Sequence, residues 1–300
     1  MRDYLIEAPS YAHMCGGIKA LHLLCHKLNE RGLKAYMSCN YTNPAFNTPK
    51  ISVLSVEEQK ELQHTGIVVY PDIIPSNPHH FTHCVKWWLG ATQPHSPNQL
   101  VFAFQEMHQV IVKADFNLCI IHIEDFFKEP EVENRHTTCC YPGKGSGICI
   151  KPVPEIGSPD VHVPGCFMIS GGSPAKREDL ARLLQQSKVF YTYDNLTVMM
   201  AEARLCGTPV ILMGHYVFSE EVFAKDPFGM SGIGMYDDNP DLEELKKQLP
   251  EFREKYQKRL DQTEKELDIF IEETQKWNPD NIYVDDPGVM TSAIQTFRTR

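Results

Sequence analysis

The chain is 300 residues long and 42% hydrophobic, enough for real cores and for two domains of ordinary size. Its formal charge of -10 argues against a phosphate backbone as the main partner, because nucleic-acid binders carry a basic face. No run of about 18 apolar residues occurs, and MRDYLIEAPSY lacks the apolar segment of a signal peptide, so a cytoplasmic chain is expected, with peripheral association at a membrane left open.

DYLIE reads as a short strand, followed by a loop and the pair Gly16-Gly17. In IKALHLLCHKLNERG the residues Ile18, Leu21, Cys25 and Leu28 share one helical face, with Gly32 at the stop position. LKAYMSC is the next strand, which completes a βαβ unit. The two glycines either let an anionic ligand approach a helix N-terminus or simply make the turn. The stretch NYTNPAFNTPKIS is loop-like, and Ser55 with Glu58 has the spacing of a capping box for a short helix. TGIVVYPDII is a strand, FTHCVKWWLG reads as an aromatic helix, and QLVFAF and FNLCIIHI are further strands. Strands alternating with helices or loops imply a mostly parallel sheet covered on both faces.

The composition turns charged in EDFFKEPEVEN, and a domain boundary is placed there, giving residues 1–133 and 134–276 as two Rossmann-like domains. In the second, HTTCCY leads into PGKGSG, which fits neither the Walker A nor the Gly-x-Gly-x-x-Gly spacing. Lys144 in this loop either meets a phosphate as a point charge or is solvent-exposed. CFMISGG, KVFYTY and Pro209–Leu212 are strands, with REDLARLLQQS and TVMMAEARLCG as helices, the latter capped by Thr197. A long charged helix should follow from Asp241 to Lys276, broken or kinked at Pro250. Residues 277–300 form a tail expected to pack back on the N-terminal domain.

The ten cysteines are scattered without a Cys-x-x-Cys pair and read as reduced core thiols. His79, His80 and His83 have no Cys or carboxylate partner at ligand spacing, so no metal site is expected. Ligands of parallel α/β sheets gather at the carboxyl ends of strands, which places Tyr193, Asp194, Asn195 and Thr197 at a crevice. Glu202, one to two turns into the following helix, is either a clamp for ribose hydroxyls or a solvated helix carboxylate. A general base from the other domain would come from His13, Glu106, His108 or Asp115, with His13 favoured for its pKa class and its place before Gly16-Gly17.

Glu202-Ala203, three residues, then Gly207-Thr208-Pro209-Val210 resembles the EA-x3-G-x-PV signature of GT-B glycosyltransferases in their donor-binding domain. Asp194 stands eight residues before Glu202, where many retaining members carry a glutamate, and Lys144 follows the first strand of its domain as a donor-phosphate lysine does in related enzymes. VVYPDIIPSNPHHFTHCVKWWLG is similar to a stretch in bacterial polysaccharide glycosyltransferases, with no function assigned to it. Asp194 in place of glutamate, and Thr197 where relatives often have glycine, leave retaining and inverting chemistry both open.

The resemblance implies an α/β GT-B fold of two Rossmann-like domains facing across a cleft, with a C-terminal helical extension. It implies transfer of a sugar from a nucleotide-diphosphate donor (UDP or GDP type) to a carbohydrate or lipid-linked glycan, with no cofactor and no metal. His13 and Asp194 are then catalytic candidates, and Gly16, Gly17, Lys144, Tyr193, Asn195, Thr197 and Glu202 donor-binding ones. The alternatives are another Rossmann-type nucleotide-sugar enzyme (epimerase or dehydrogenase) and a non-catalytic nucleotide-sugar or glycan-binding protein.

Overall fold

The computed structural model describes residues 1–90, 99–106, 112, 114–143, 166–170, 172–194, 197–213 and 228–278. Two parallel sheets organise them. The first holds β1 (Tyr4–Ile6), β2 (Ala35–Met37), β3 (Ile67–Pro71), β4 (His83–Trp88), β5 (Leu100–Ala103) and β6 (Phe116–Asn117) in the order β2-β1-β3-β4-β5-β6. The second holds β7 (Thr137–Tyr141), β8 (Phe167–Met168), β9 (Ser187–Thr192), β10 (Val210–Leu212) and β11 (Ile233–Met235) in the order β11-β10-β9-β7-β8. Read from the first strand of each unit, the winding is the same: the second strand lies on one side of the first, and the later strands continue on the other. Both are Rossmann-like sheets.

Helix α1 (Gly16–Glu30) buries Leu21, Leu24, Cys25 and Leu28, and Gly32 beyond its end has φ +76°. Helix α2 (Val56–Thr65) begins in the expected capping box, with Ser55 Oγ accepting from Glu58 N–H and Glu58 Oε2 accepting from Ser55 N–H. In the second unit α3 (Arg177–Gln186) and α4 (Met199–Leu205) pack on the core containing Cys139, Phe190, Val210 and Leu212.

The stretch expected as an aromatic helix is the central strand β4. All six of its residues are buried, with Val85 and Trp87 in the main core and Cys84 in the cluster on the opposite face. A strand covered on both faces reads as one continuous apolar run, which periodicity alone does not separate from a helix. Strand β11 was hidden in the sequence by its glycines. Gly234 is held there by Pro240, whose Cγ would lie 2.6 Å from an added Cβ.

Helix α5 (Leu242–Lys247) is separated from α6 (Leu249–Lys276), which has Pro250 in its first turn, where a missing N–H costs no helical bond. Over its 28 residues α6 extends about 42 Å and serves both cores. Phe252 packs in the second, Leu267 and Phe270 in the first. Thr263 Oγ1 donates to Cys119 O at 2.8 Å, and Glu266 Oε2 accepts from Cys119 N–H at 2.8 Å. The sequence division gives all of α6 to the second unit, whereas its residues from Thr263 onward lie on the first. The described cysteines are free thiols, most of them buried.

Candidate functional site

A switch point arises where neighbouring strands lead off in opposite directions, and it opens a crevice at their carboxyl ends. The first sheet has one between β1 and β3, the second between β7 and β9. The loop after β1 leads to Gly16 and Gly17, the first two residues of α1. The turn after β9 leads through Thr197 to α4. These features meet: a Cβ on Gly16 would lie 3.6 Å from the Cβ of Val198, and one on Gly143, just past β7, would lie 3.5 Å from the Cβ of Asp194. Met14, in the loop before α1, packs against the second unit's core. Burial raises the Tyr141 hydroxyl pKa to about 12, with the charges of Asp194 and Cys15 adding to the effect. Residues of both units therefore surround one place.

Several expected site residues lie at this place. Gly16 and Gly17 are half-buried at the start of α1, with the space beside Gly17 bounded by Leu89. His13 is exposed in the preceding turn. Asp194 N–H donates to Thr192 Oγ1 at 3.0 Å, which tightens the turn after β9. Thr197 is buried and its Oγ1 accepts from Met199 N–H at 3.3 Å, but the N-cap position of α4 falls to Val198, which makes no side-chain cap. Lys144, Asn195 and His108 lie outside the described residues. Glu106 is exposed beyond the carboxyl end of β5.

Three residues are placed differently from expectation. Tyr193 does not line the crevice with its ring: it continues the alternation of Val189 and Tyr191 and packs in the cluster of Ile211, Met213 and Leu245 on the other face. Asp115 stands at the amino end of β6, where its Oδ2 accepts from Val101 N–H at 3.2 Å, at the opposite end of the sheet from the crevice. Glu202 is neither a free clamp nor a solvated carboxylate. It is fully buried, and both its oxygens are taken by Arg177, Oε2 at 3.2 Å from Nη1 and Oε1 in a closer bond from Nη2.

That pair belongs to a chain of four charges. Arg177 Nη2 also donates to Glu124 Oε2 at 2.9 Å, and Lys19 Nζ donates to Glu124 Oε1 at 3.1 Å. The Arg177 guanidinium lies 4.5 Å from the centre of the Phe127 ring, a cation–π distance. Burial works against the Glu124 carboxylate, but the Arg177 hydrogen bond and the charges of Lys19 and Arg177 outweigh it and hold its pKa at about 2. Burial likewise opposes the Arg177 charge, and the two carboxylates raise its pKa above the usual value. Lys19 is lowered, chiefly by burial and then by the Arg177 charge.

The Gly-Thr-Pro-Val turn has a clear structural basis. Gly207 has φ +77°, and an added Cβ would lie 2.6 Å from Arg135 Nη2. Arg135 donates to Cys206 O at 2.9 Å, Ser187 O at 3.0 Å and Thr208 Oγ1 at 2.7 Å, fixing the approach to β10. Arg204 is also buried, donating to Gly229 O and Ser231 O with its guanidinium 3.8 Å from the Phe252 ring centre. Sequence reasoning singled out none of Lys19, Glu124, Arg135, Arg177 or Arg204. The available signal was a charged residue inside or beside an apolar helix pattern, which also describes most solvated charges.

No family profile matches the sequence, and no curated protein matches it. Among solved structures, the calicheamicin glycosyltransferase CalG4 is similar with a TM-score of 0.47 at 10% identity, over 93% of this chain and 100% of that one. WaaG, a glycosyltransferase involved in lipopolysaccharide biosynthesis, is similar with a TM-score of 0.47 at 12% identity, over 93% and 97%. At these values neither likeness carries weight for function.

Proposed function

We propose that this chain is a GT-B-type glycosyltransferase, moving a sugar from a nucleotide-diphosphate donor to a carbohydrate or lipid-linked glycan acceptor without a metal. The observation that supports it best is the meeting of two switch points, one from each Rossmann-like sheet, at Gly16 and Val198. In this reading the donor diphosphate lies near the amides of Gly16 and Gly17, where the start of a 15-residue helix favours negative charge. Lys144 and the turn through Asn195 and Thr197 complete its setting. Asp194 borders the reacting sugar, and His13 takes the acceptor proton if the reaction inverts. A lipid-linked acceptor would bring the protein to a membrane surface, and no described helix is long and apolar enough to cross one.

A thermal-shift screen against nucleoside diphosphates and their sugars tests the donor site. A ligand at 100 times its Kd stabilises the native state by about 2.7 kcal/mol, which is readily measured. The expected result is a shift with one or more diphosphates, lost in Lys144→Ala, and sugar transfer or donor hydrolysis by the wild type. Silence across all diphosphates would overturn the reading, and a shift with NAD alone would replace it with a dehydrogenase.

A further inference from the structure

We infer that Glu202 is a positioning residue rather than a nucleotide ligand, and that Lys19, Arg177 and Glu202, all buried, form with the half-buried Glu124 one lock between the two units. Lys19 lies on α1, three residues after Gly16. Glu202 lies on α4, four residues after Val198. Glu124 belongs to the segment connecting the sheets, and Arg177 opens α3. The lock thus joins both helices whose starts meet at the crevice to the connecting segment. Its order is Lys19 to Glu124 at 3.1 Å, Glu124 to Arg177 at 2.9 Å, and Arg177 to both oxygens of Glu202.

Three observations favour this role for Glu202. Its side chain is wholly inaccessible. Each of its oxygens already accepts a hydrogen bond from the planar fork of an arginine, an arrangement with geometric specificity. Two positive and two negative charges are balanced, so replacing either Arg177 bond by a neutral hydroxyl would leave a buried guanidinium underpaired, a costly state. Among the described residues the Arg177 Nε has no hydrogen-bond partner, which leaves the guanidinium to its two carboxylates. Lys19 and Arg177 hold the spacing of α1 and α4, and with it the width of the crevice at Gly16.

The lock can be tested without any ligand, while its part in transfer rests on the proposed function above. Hydrogen exchange followed by mass spectrometry should show α1 and α4 exchanging at least tenfold faster in Arg177→Met and Glu124→Gln, with β3 unchanged. Unchanged exchange in α1 would overturn the lock. Should Arg177→Met not fold, Lys19→Met and Glu124→Gln, at the more accessible end, decide the same point. The ligand arm compares UDP and GDP with their 2′,3′-dideoxy forms. Equal affinities within about threefold are expected, together with donor KM little changed and kcat lowered in Glu202→Gln. A ribose preference of tenfold or more that disappears in Glu202→Gln would make Glu202 a ligand and overturn the inference. If no nucleotide binds, the donor reading fails, and hydrogen exchange still decides the lock.

Discussion

The connections β3 to β4 and β9 to β10 both return the chain to a parallel neighbour, but they satisfy their backbones differently. The second uses α4, which bonds most of its own peptide groups, with Arg135 taking the Cys206 carbonyl at the turn that leaves it. The first has no helix. Tyr70 Oη donates to Asn77 Oδ1 at 3.1 Å and accepts from His79 N–H, while Asn77 bonds both the N–H and the carbonyl of Phe81. Lys86 Nζ donates to Ile74 O, and Asp72 Oδ1 accepts from Leu89 N–H at 3.0 Å. A helix spreads the satisfaction of buried backbone over many equivalent bonds, whereas a loop concentrates it in a few side chains. The second connection should therefore be most sensitive where its turn needs a special conformation, and the first where one side chain serves several partners.

Gly207→Ala should have the largest effect. A left-handed conformation costs a β-carbon about 1–2 kcal/mol, and the crowding against Arg135 and Glu129 adds about 1–3 kcal/mol. A loss near 4 kcal/mol in denaturant unfolding is expected, and a loss below about 1 kcal/mol would mean that the turn relaxes freely. Asn77→Ala comes next. It strands the Phe81 N–H and carbonyl in a buried place, for about 3 kcal/mol, since each orphaned group costs about 1–3 kcal/mol. If the loop can recruit water instead, the loss will be under 1 kcal/mol and the contrast between the two connections disappears.

The same contrast decides what could be read in advance. The capping box at Ser55 and Glu58 and the stop at Gly32 depend on residues a few positions apart, so spacing reveals them. The segment VVYPDIIPSNPHHFTHCVKWWLG was noticeable as a pattern, yet its purpose is a loop closed by side chains on two strands, which only the fold brings together. The strand β4 within it reads as a helix because burial on both faces erases alternation. The position of the glycines, Asp194 and Thr197 beside the crevice is legible because strand ends predict a crevice, and their roles belong to the proposed function. The partner of Glu202 is not legible, since Arg177 stands 25 residues away and Glu124 lies 53 from Arg177.

Lys86 offers a test of the helix-free connection by pH. Burial pushes its ammonium down to about 8, with Cys84 and Asp72 only partly opposing the effect. The unfolded chain then binds more protons than the native one between about pH 8 and 10.5, so this group makes stability rise with pH across that window. Its full contribution is on the order of 3 kcal/mol. Lys86→Met should remove the rise, seen as a flatter Tm against pH profile above pH 8. An unchanged profile would place the amine in contact with water.

Glu124 gives the smallest effect and reports on the second connection through Arg177. Its lowered pKa means that the native state holds the carboxylate more tightly in its charged form, so the contribution is complete above about pH 4.5 and is lost as pH falls toward 2. The Glu124 side chain is 22% exposed, and solvent screening reduces the expected loss to about 2 kcal/mol. Glu124→Gln should be less stable than wild type at pH 7 and converge with it near pH 2, because protonation has by then removed the same charge. Convergence is the informative result: it requires that the carboxylate acts through its charge on Lys19 and Arg177. A constant gap between the two proteins from pH 7 to 2 would instead assign its contribution to the hydrogen bonds that its two oxygens accept from Lys19 and Arg177, not to the charge they carry.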